Sequence, residues 1–142
     1  PKLGLVNGRA PGRDSGGRKV PKPAAFVRSA PQAPTWMSAE AKAEWRRVVP
    51  QLERLKLLKP EDRAGLAAYC EAWSTFVRAT RLVAKEGLTI NAKQGKLPHP
   101  AVGIARASAR EVRAWCSEFG FTPSAEGRLK VPEASNGSED FD

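Results

Sequence analysis

A chain of 142 residues with a formal net charge of +9 is long enough for one domain with a modest core, and its charge favours a polyanionic partner. No apolar run approaches the roughly 20 residues of a membrane span. The first residues lack the apolar core of a signal peptide, and two cysteines are too few for a disulfide scaffold, so a soluble intracellular protein without membrane contact is expected.

The charge is polarised along the chain. Residues 1–35 carry seven Lys/Arg against the single Asp14, residues 36–121 carry fifteen against nine acids, and residues 122–142 carry two against five. The first segment, rich in Gly, Pro and basic residues, has too little apolar surface to offset its ordering entropy, so residues 1–35 are expected as a disordered basic arm. The same reasoning makes residues 131–142 a disordered acidic tail, leaving residues 36–130 as the helical domain.

The domain opens with Ser38 as an N-cap and Glu40 in the first turn, where the helix dipole favours an acid. Ala41, Trp45, Val48, Leu52 and Leu55 follow at helical spacing, and Pro50 predicts a kink or a break among them. Trp36, just ahead of the cap, is placed to act as a hydrophobic staple. A longer helix is predicted from Pro60, with Glu61 and Asp62 in its first turn and Gly87 as its stop. Its stripe is Leu66, Tyr69/Cys70, Trp73, Phe76/Val77, Thr80 and Val83. The short link between the two helices predicts an antiparallel helical hairpin.

Leu88 to Asn91 and Gln94 to Leu97 are two short extended pieces around a turn. A small β-hairpin is one outcome for them and an irregular loop the other, since two strands alone are marginal. A third helix is predicted from Pro100 to Phe119, closed by Gly120, with Val102, Ala105, Ala109, Val112, Cys116 and Phe119 on its apolar face. Thr122-Pro123 then starts a short last helix. The expected fold class is all-α.

No constellation for catalysis emerges. Gly12 to Lys19 mimics the glycine spacing of a phosphate-binding loop, but Arg18 stands where Lys is needed and Lys19 where Ser/Thr is needed, without a strand before or a helix after. His99, the single histidine, has no carboxylate or nucleophile near it in sequence and is expected to make a structural contact at the start of the third helix. Glu40, Glu44, Glu61, Asp62, Glu111 and Glu118 form no metal-ligand pattern and are assigned to solvated helix surface. Cys70 and Cys116 are expected as buried reduced thiols. Neither a metal, a cofactor nor an enzymatic activity is expected.

Two basic groups are the DNA-binding candidates. One is the arm, with Lys2, Arg9, Arg13, Arg18, Lys19, Lys22 and Arg28, which suits phosphate contact through counterion release. The other is Arg106, Arg110 and Arg113, spaced four and three apart and therefore on one helix face. That face is equally suited to phosphates, to acids of a neighbouring subunit, or to solvent. Trp45, Trp73, Phe76 and Trp115 lie on or beside the apolar stripes and are assigned to core or subunit contacts rather than base stacking.

Several segments stand in order from about residue 3 to 129. They are Leu5-Val6-Asn7-Gly8-Arg9-Ala10-Pro11-Gly12-Arg13, Ala33-Pro34-Thr35-Trp36-Met37-Ser38 and Ala43-Glu44-Trp45-Arg46-Arg47. Further along come Leu57-Leu58-Lys59-Pro60-Glu61-Asp62, Tyr69-Cys70-Glu71-Ala72-Trp73, His99-Pro100-Ala101 and Glu118-Phe119-Gly120-Phe121-Thr122-Pro123-Ser124-Ala125. Together they resemble the small terminase subunits of tailed bacteriophages, of the siphophage type. The chain departs from the family after Ala125, where Glu126-Gly127 replace the usual Arg. The resemblance implies a homo-oligomeric ring in the host bacterial cytoplasm. It also implies binding to double-stranded phage DNA at the packaging start, and regulation of a large terminase subunit that holds the ATPase and nuclease. The alternative is a DNA-binding regulator that forms no ring and uses the Pro60 helix in a helix-turn-helix.

Overall fold

The computed structural model describes residues 12–13, 16–21 and 25–129. Much of the arm, including Lys2, Arg9 and Lys22, and all of the tail expected over 131–142 lie outside the described residues.

Helix α1 spans Ala39–Arg54 and starts where Ser38 Oγ accepts from the Ala41 backbone N at 3.2 Å. It runs through Pro50 without a break. Proline deprives the Arg46 carbonyl of its helical partner, but Pro50 is exposed, and Val48, Val49 and Leu52 are buried around it. Each such side chain, fully buried, contributes about 1.5–3 kcal/mol, so packing on α1's inner face outweighs one lost hydrogen bond. The helix stops at Arg54, and Leu55, expected on its apolar stripe, is instead its exposed C-cap.

A single 3₁₀ turn, Pro60–Asp62, leads into α2, Arg63–Glu86. Asp62 Oδ2 accepts from the Lys59 backbone N at 3.0 Å and its other oxygen pairs with Lys59 Nζ, which fixes the turn. Helices α1 and α2 pack together through Ala41, Trp45, Val48 and Leu52 on one side and Leu66, Tyr69 and Cys70 on the other, with Met37 and Leu58 at the ends. Further along α2 the buried positions are Ser74 and Ala79, not the expected Trp73 and Phe76, which are half-buried. The small Ser74 lets the start of α1 come close, with its Oγ 2.9 Å from Ser38 Oγ.

Gly87, at φ 93°, ends α2 and starts the β-hairpin of β1, Thr89–Ala92, and β2, Gly95–Pro98. The strands are antiparallel, with Ile90 opposite Leu97 and Ala92 opposite Gly95. Helix α3, Pro100–Glu118, then returns along α2. Its Val112, Trp115, Cys116 and Phe119 pack on the core half-buried, and only Ala101 and Ser108 are fully covered. Gly120, at φ 76°, closes α3, and α4, Pro123–Glu126, follows a Thr122 N-cap.

Ahead of α1 the chain is tied to the body well before Trp36. The Ser29 backbone N donates to the Leu58 carbonyl at 3.1 Å, and Ala30 packs against the core. Trp36 itself is 69% exposed and staples nothing, because Met37, not Trp36, fills the space beside α1.

Candidate nucleic-acid interface

Arg106, Arg110 and Arg113 lie exposed along α3, whose apolar face holds the helix on α2. Among the described residues none of the three forms an ion pair. Positions three and four apart on a helix bring the Cβ atoms within about 5–6 Å, so the three guanidinium groups form one row facing solvent. The neighbouring acid Glu111 lies roughly 100° around the helix from Arg110. Long flexible cations presented this way meet phosphates without a fixed geometry.

Other arginines are already engaged. Arg81 Nη1 lies 3.5 Å from Glu40 Oε2, whereas Arg46 and Arg78 are exposed. Of the arm residues within the described segments, Arg13 Nη1 donates to the Gly17 carbonyl at 2.6 Å and pairs through its backbone with Lys19 in an isolated antiparallel bridge. Arg18 and Lys19 are exposed, and Arg28 Nη1 donates to the Leu57 carbonyl at 3.2 Å. Among the described residues this segment shows neither the strand nor the helix that a phosphate-binding loop needs.

Glu44, assigned from sequence to solvated surface, is 4% exposed and sits at the centre of a polar cluster. Tyr69 Oη donates to its Oε1 at 2.6 Å, and Arg47 donates to both carboxylate oxygens at 2.8 and 2.5 Å. Burial works to raise the Glu44 carboxyl, yet the hydrogen bonds from Arg47 and Tyr69 and the guanidinium charge outweigh it and hold the group below its ordinary value. The signal was present in the spacing, since position 44 falls between Ala41 and Val48 on the inner face. Glu71, a second carboxylate that sequence did not single out, accepts from Ser38 N at 2.7 Å and from Ser38 Oγ at 3.2 Å, anchoring the start of α1 to α2.

His99 is buried, and the fold does bring it a carboxylate. Its Nδ1 accepts from the Ala101 backbone N at 3.0 Å, capping α3, and its Nε2 lies 2.6 Å from Glu86 Oε2 at the end of α2. With Nδ1 accepting, the proton of the neutral ring is on Nε2 and points to Glu86. Both nitrogens are committed to joining two helix ends, which makes this a structural pair. Among the described residues no three His, Cys, Asp or Glu side chains cluster to hold a metal ion, and no helix is long and apolar enough to cross a membrane.

Of the aromatic residues assigned to core or subunit contacts, Trp45 is in the core and Trp115 is half-buried, stacked on Phe119 with ring centroids 5.7 Å apart. Trp73 and Phe76 form a tilted pair 5.9 Å apart that stays partly open to solvent. Cys70 is buried and its thiol is pushed up to about 12 by burial, while Cys116 is half-buried with its thiol raised for the same reason.

No curated protein and no solved structure matches the chain. A family described as "Phage terminase, small subunit" matches residues 41–136, about two thirds of the sequence. The match takes in α1, α2, the hairpin, α3 and α4, while the similar segments before Ala41 fall outside it. The chain belongs to the phage terminase small-subunit family.

Proposed function

We propose that this protein is the DNA-engaging subunit of a phage packaging machine. It assembles as a homo-oligomeric ring, binds double-stranded phage DNA at the packaging start, and regulates a large subunit that carries the ATPase and nuclease. It acts in the host bacterial cytoplasm and has no catalytic role of its own. The family supports a part in phage DNA packaging. The observation that carries the DNA contact is the row of exposed arginines on α3, Arg106, Arg110 and Arg113, in a chain of net charge +9. A ring multiplies such individually weak phosphate contacts by presenting many copies at once.

The helix-turn-helix alternative needs the Pro60 helix to enter a major groove. That helix, α2, packs against both α1 and α3 and buries Leu66, Tyr69, Cys70 and Ser74, and the side chains that stay partly open near its centre, Trp73 and Phe76, are aromatic rather than the polar groups that read base edges. The test is binding of the purified chain to a duplex containing the packaging start over a range of salt, together with its effect on the cognate large subunit's ATPase rate. Salt-sensitive binding and a changed ATPase rate are expected. Absence of both would overturn the proposal.

A further inference from the structure

Two exposed patches at opposite ends of α2 each combine apolar surface with charge, one acidic and the other basic. The first is a groove of about 630 Å³ in which Trp36 faces Ala64 and Ala68 of α2, with Glu61 and Glu71 at its edge. Arg63 also lines it, leaving an excess of one acid. Trp36 is 69% exposed, and Ala64 and Ala68 offer no bulk to hold another backbone away. A large rigid indole beside a small-residue helix face is the composition of an interface anchor rather than of a solvated surface.

The second patch is the β1–β2 hairpin. Side chains alternate along a strand, so Leu88 and Ile90 share one face with Leu97, the partner of Ile90. Leu88 is 67% and Leu97 40% exposed, so the helices leave this face incompletely covered. Two strands alone are marginal in water, and an uncovered apolar face weakens them further. The hairpin also carries exposed Lys93 and Lys96, and no acid occurs between Thr89 and Pro98.

We propose that the hairpin of one copy seats in the Trp36 groove of the next, with Leu97 and Leu88 against Trp36 and the alanines and Lys93, in the turn between the strands, towards Glu61 and Glu71. Ala68 and Glu86 are separated by about 27 Å along the helix axis, so a chain does not fill its own groove. The contact joins one patch to a different patch, which generates a ring when the rotation closes. Nucleic acid would suit the lysines but not the acidic groove, whereas a second copy satisfies both surfaces together. This inference rests on the homo-oligomer in the proposed function and assigns its interface.

The test uses a hairpin variant, Lys93→Glu with Leu97→Gln, and a groove variant, Trp36→Ala, each checked for wild-type circular dichroism and melting, with assembly followed by native mass spectrometry. All three positions are exposed, and if Trp36→Ala lowers the melting temperature, Ala68→Gln, also at an exposed position, replaces it as the groove variant and fills the small-residue face without adding a charge. Each variant alone is expected to associate at least about tenfold more weakly than wild type. An equal mixture of the two is expected to form a 1:1 heterodimer that grows no further, because only one intact hairpin meets one intact groove. Wild-type assembly by either variant, or failure of the mixture to pair, overturns the proposal. So does a variant that keeps its oligomer while losing DNA or the large subunit, which would reassign the patch to that partner. A wild-type chain that is itself monomeric would instead remove the ring from the packaging reading.

Discussion

Glu44 carries more of the fold than any other charged side chain on the inner face of α1. Its carboxylate satisfies the buried Tyr69 hydroxyl, so Glu44→Ala leaves that hydroxyl unpaired and is expected to cost about 1–3 kcal/mol, measured as a lowered urea midpoint. The Arg47 side chain is 68% exposed, so water takes over its half of the pair and adds little to that loss. Because the folded carboxyl titrates below its ordinary value of 4.5, the ionised group stabilises the fold fully above that pH and loses its effect as pH falls through the folded value. The advantage of wild type over Glu44→Gln should therefore shrink as the pH is lowered below about 4. A gap independent of pH would mean that the charge of Glu44 does not contribute. Cys70 supplies a second check at this scale. With its thiol pushed up to about 12 and fully covered, it should resist alkylation in the folded protein at pH 8 and react once urea unfolds the chain. Glu44 was legible as an inner-face position from its spacing, but its residue type argued for the surface. The partner that resolves the conflict, Tyr69, is 25 residues away and supplied by packing.

Element starts were readable because caps are local. Ser38, Pro60, Pro100 and Thr122 each act within one turn of the helix they begin, and their effect does not depend on the rest of the fold. Pro50 left a kink and a break both open for the opposite reason, since burial against α2, which a local pattern does not contain, decides that the helix continues. The close of α3 joins the two scales. Gly120 N donates to the Ser117 carbonyl at 3.4 Å and Phe121 N to the Cys116 carbonyl at 2.8 Å, the two bonds of a Schellman stop. That turn delivers the Phe121 ring to Tyr69, with centroids 5.6 Å apart, beside a pocket that Arg47 also lines. Gly120 needs its left-handed φ of 76°, and a Cβ there would lie 2.5 Å from Leu129 Cδ1. Gly120→Ala is thus expected to cost about 1–2 kcal/mol from the backbone alone and more if Leu129 does not move aside. An unchanged thermal midpoint would show that neither the turn nor Leu129 contributes to stability.

At the scale of the whole molecule the proposed DNA contact has two candidate basic groups, and the salt dependence of binding separates them. Each phosphate neutralised on duplex DNA contributes about −0.9 to the slope of log K against log salt. Replacing Arg106, Arg110 and Arg113 with Gln removes up to three such contacts per engaged copy and leaves the α2 contacts of Val112, Trp115 and Phe119 in place. Starting the chain at Ala25 removes Lys2, Arg9, Arg13, Arg18, Lys19 and Lys22 while keeping the Ser29–Leu58 hydrogen bond that ties the segment to the body. The sequence showed both groups as charge but not as surfaces, because a periodic spacing tells which residues share a helix face and not whether that face is free. Among the described residues the α3 row is open to solvent without ion pairs, so the triple Gln variant should flatten the slope by up to about 2.7 for each engaged copy and weaken binding similarly for unrelated duplexes. The truncation should flatten it further, since it removes a separate set of six basic residues. A triple variant with the wild-type slope would take α3 out of the interface. DNA contact would then rest on the arm, and the arginine row would be left to pair with acids of a neighbouring copy.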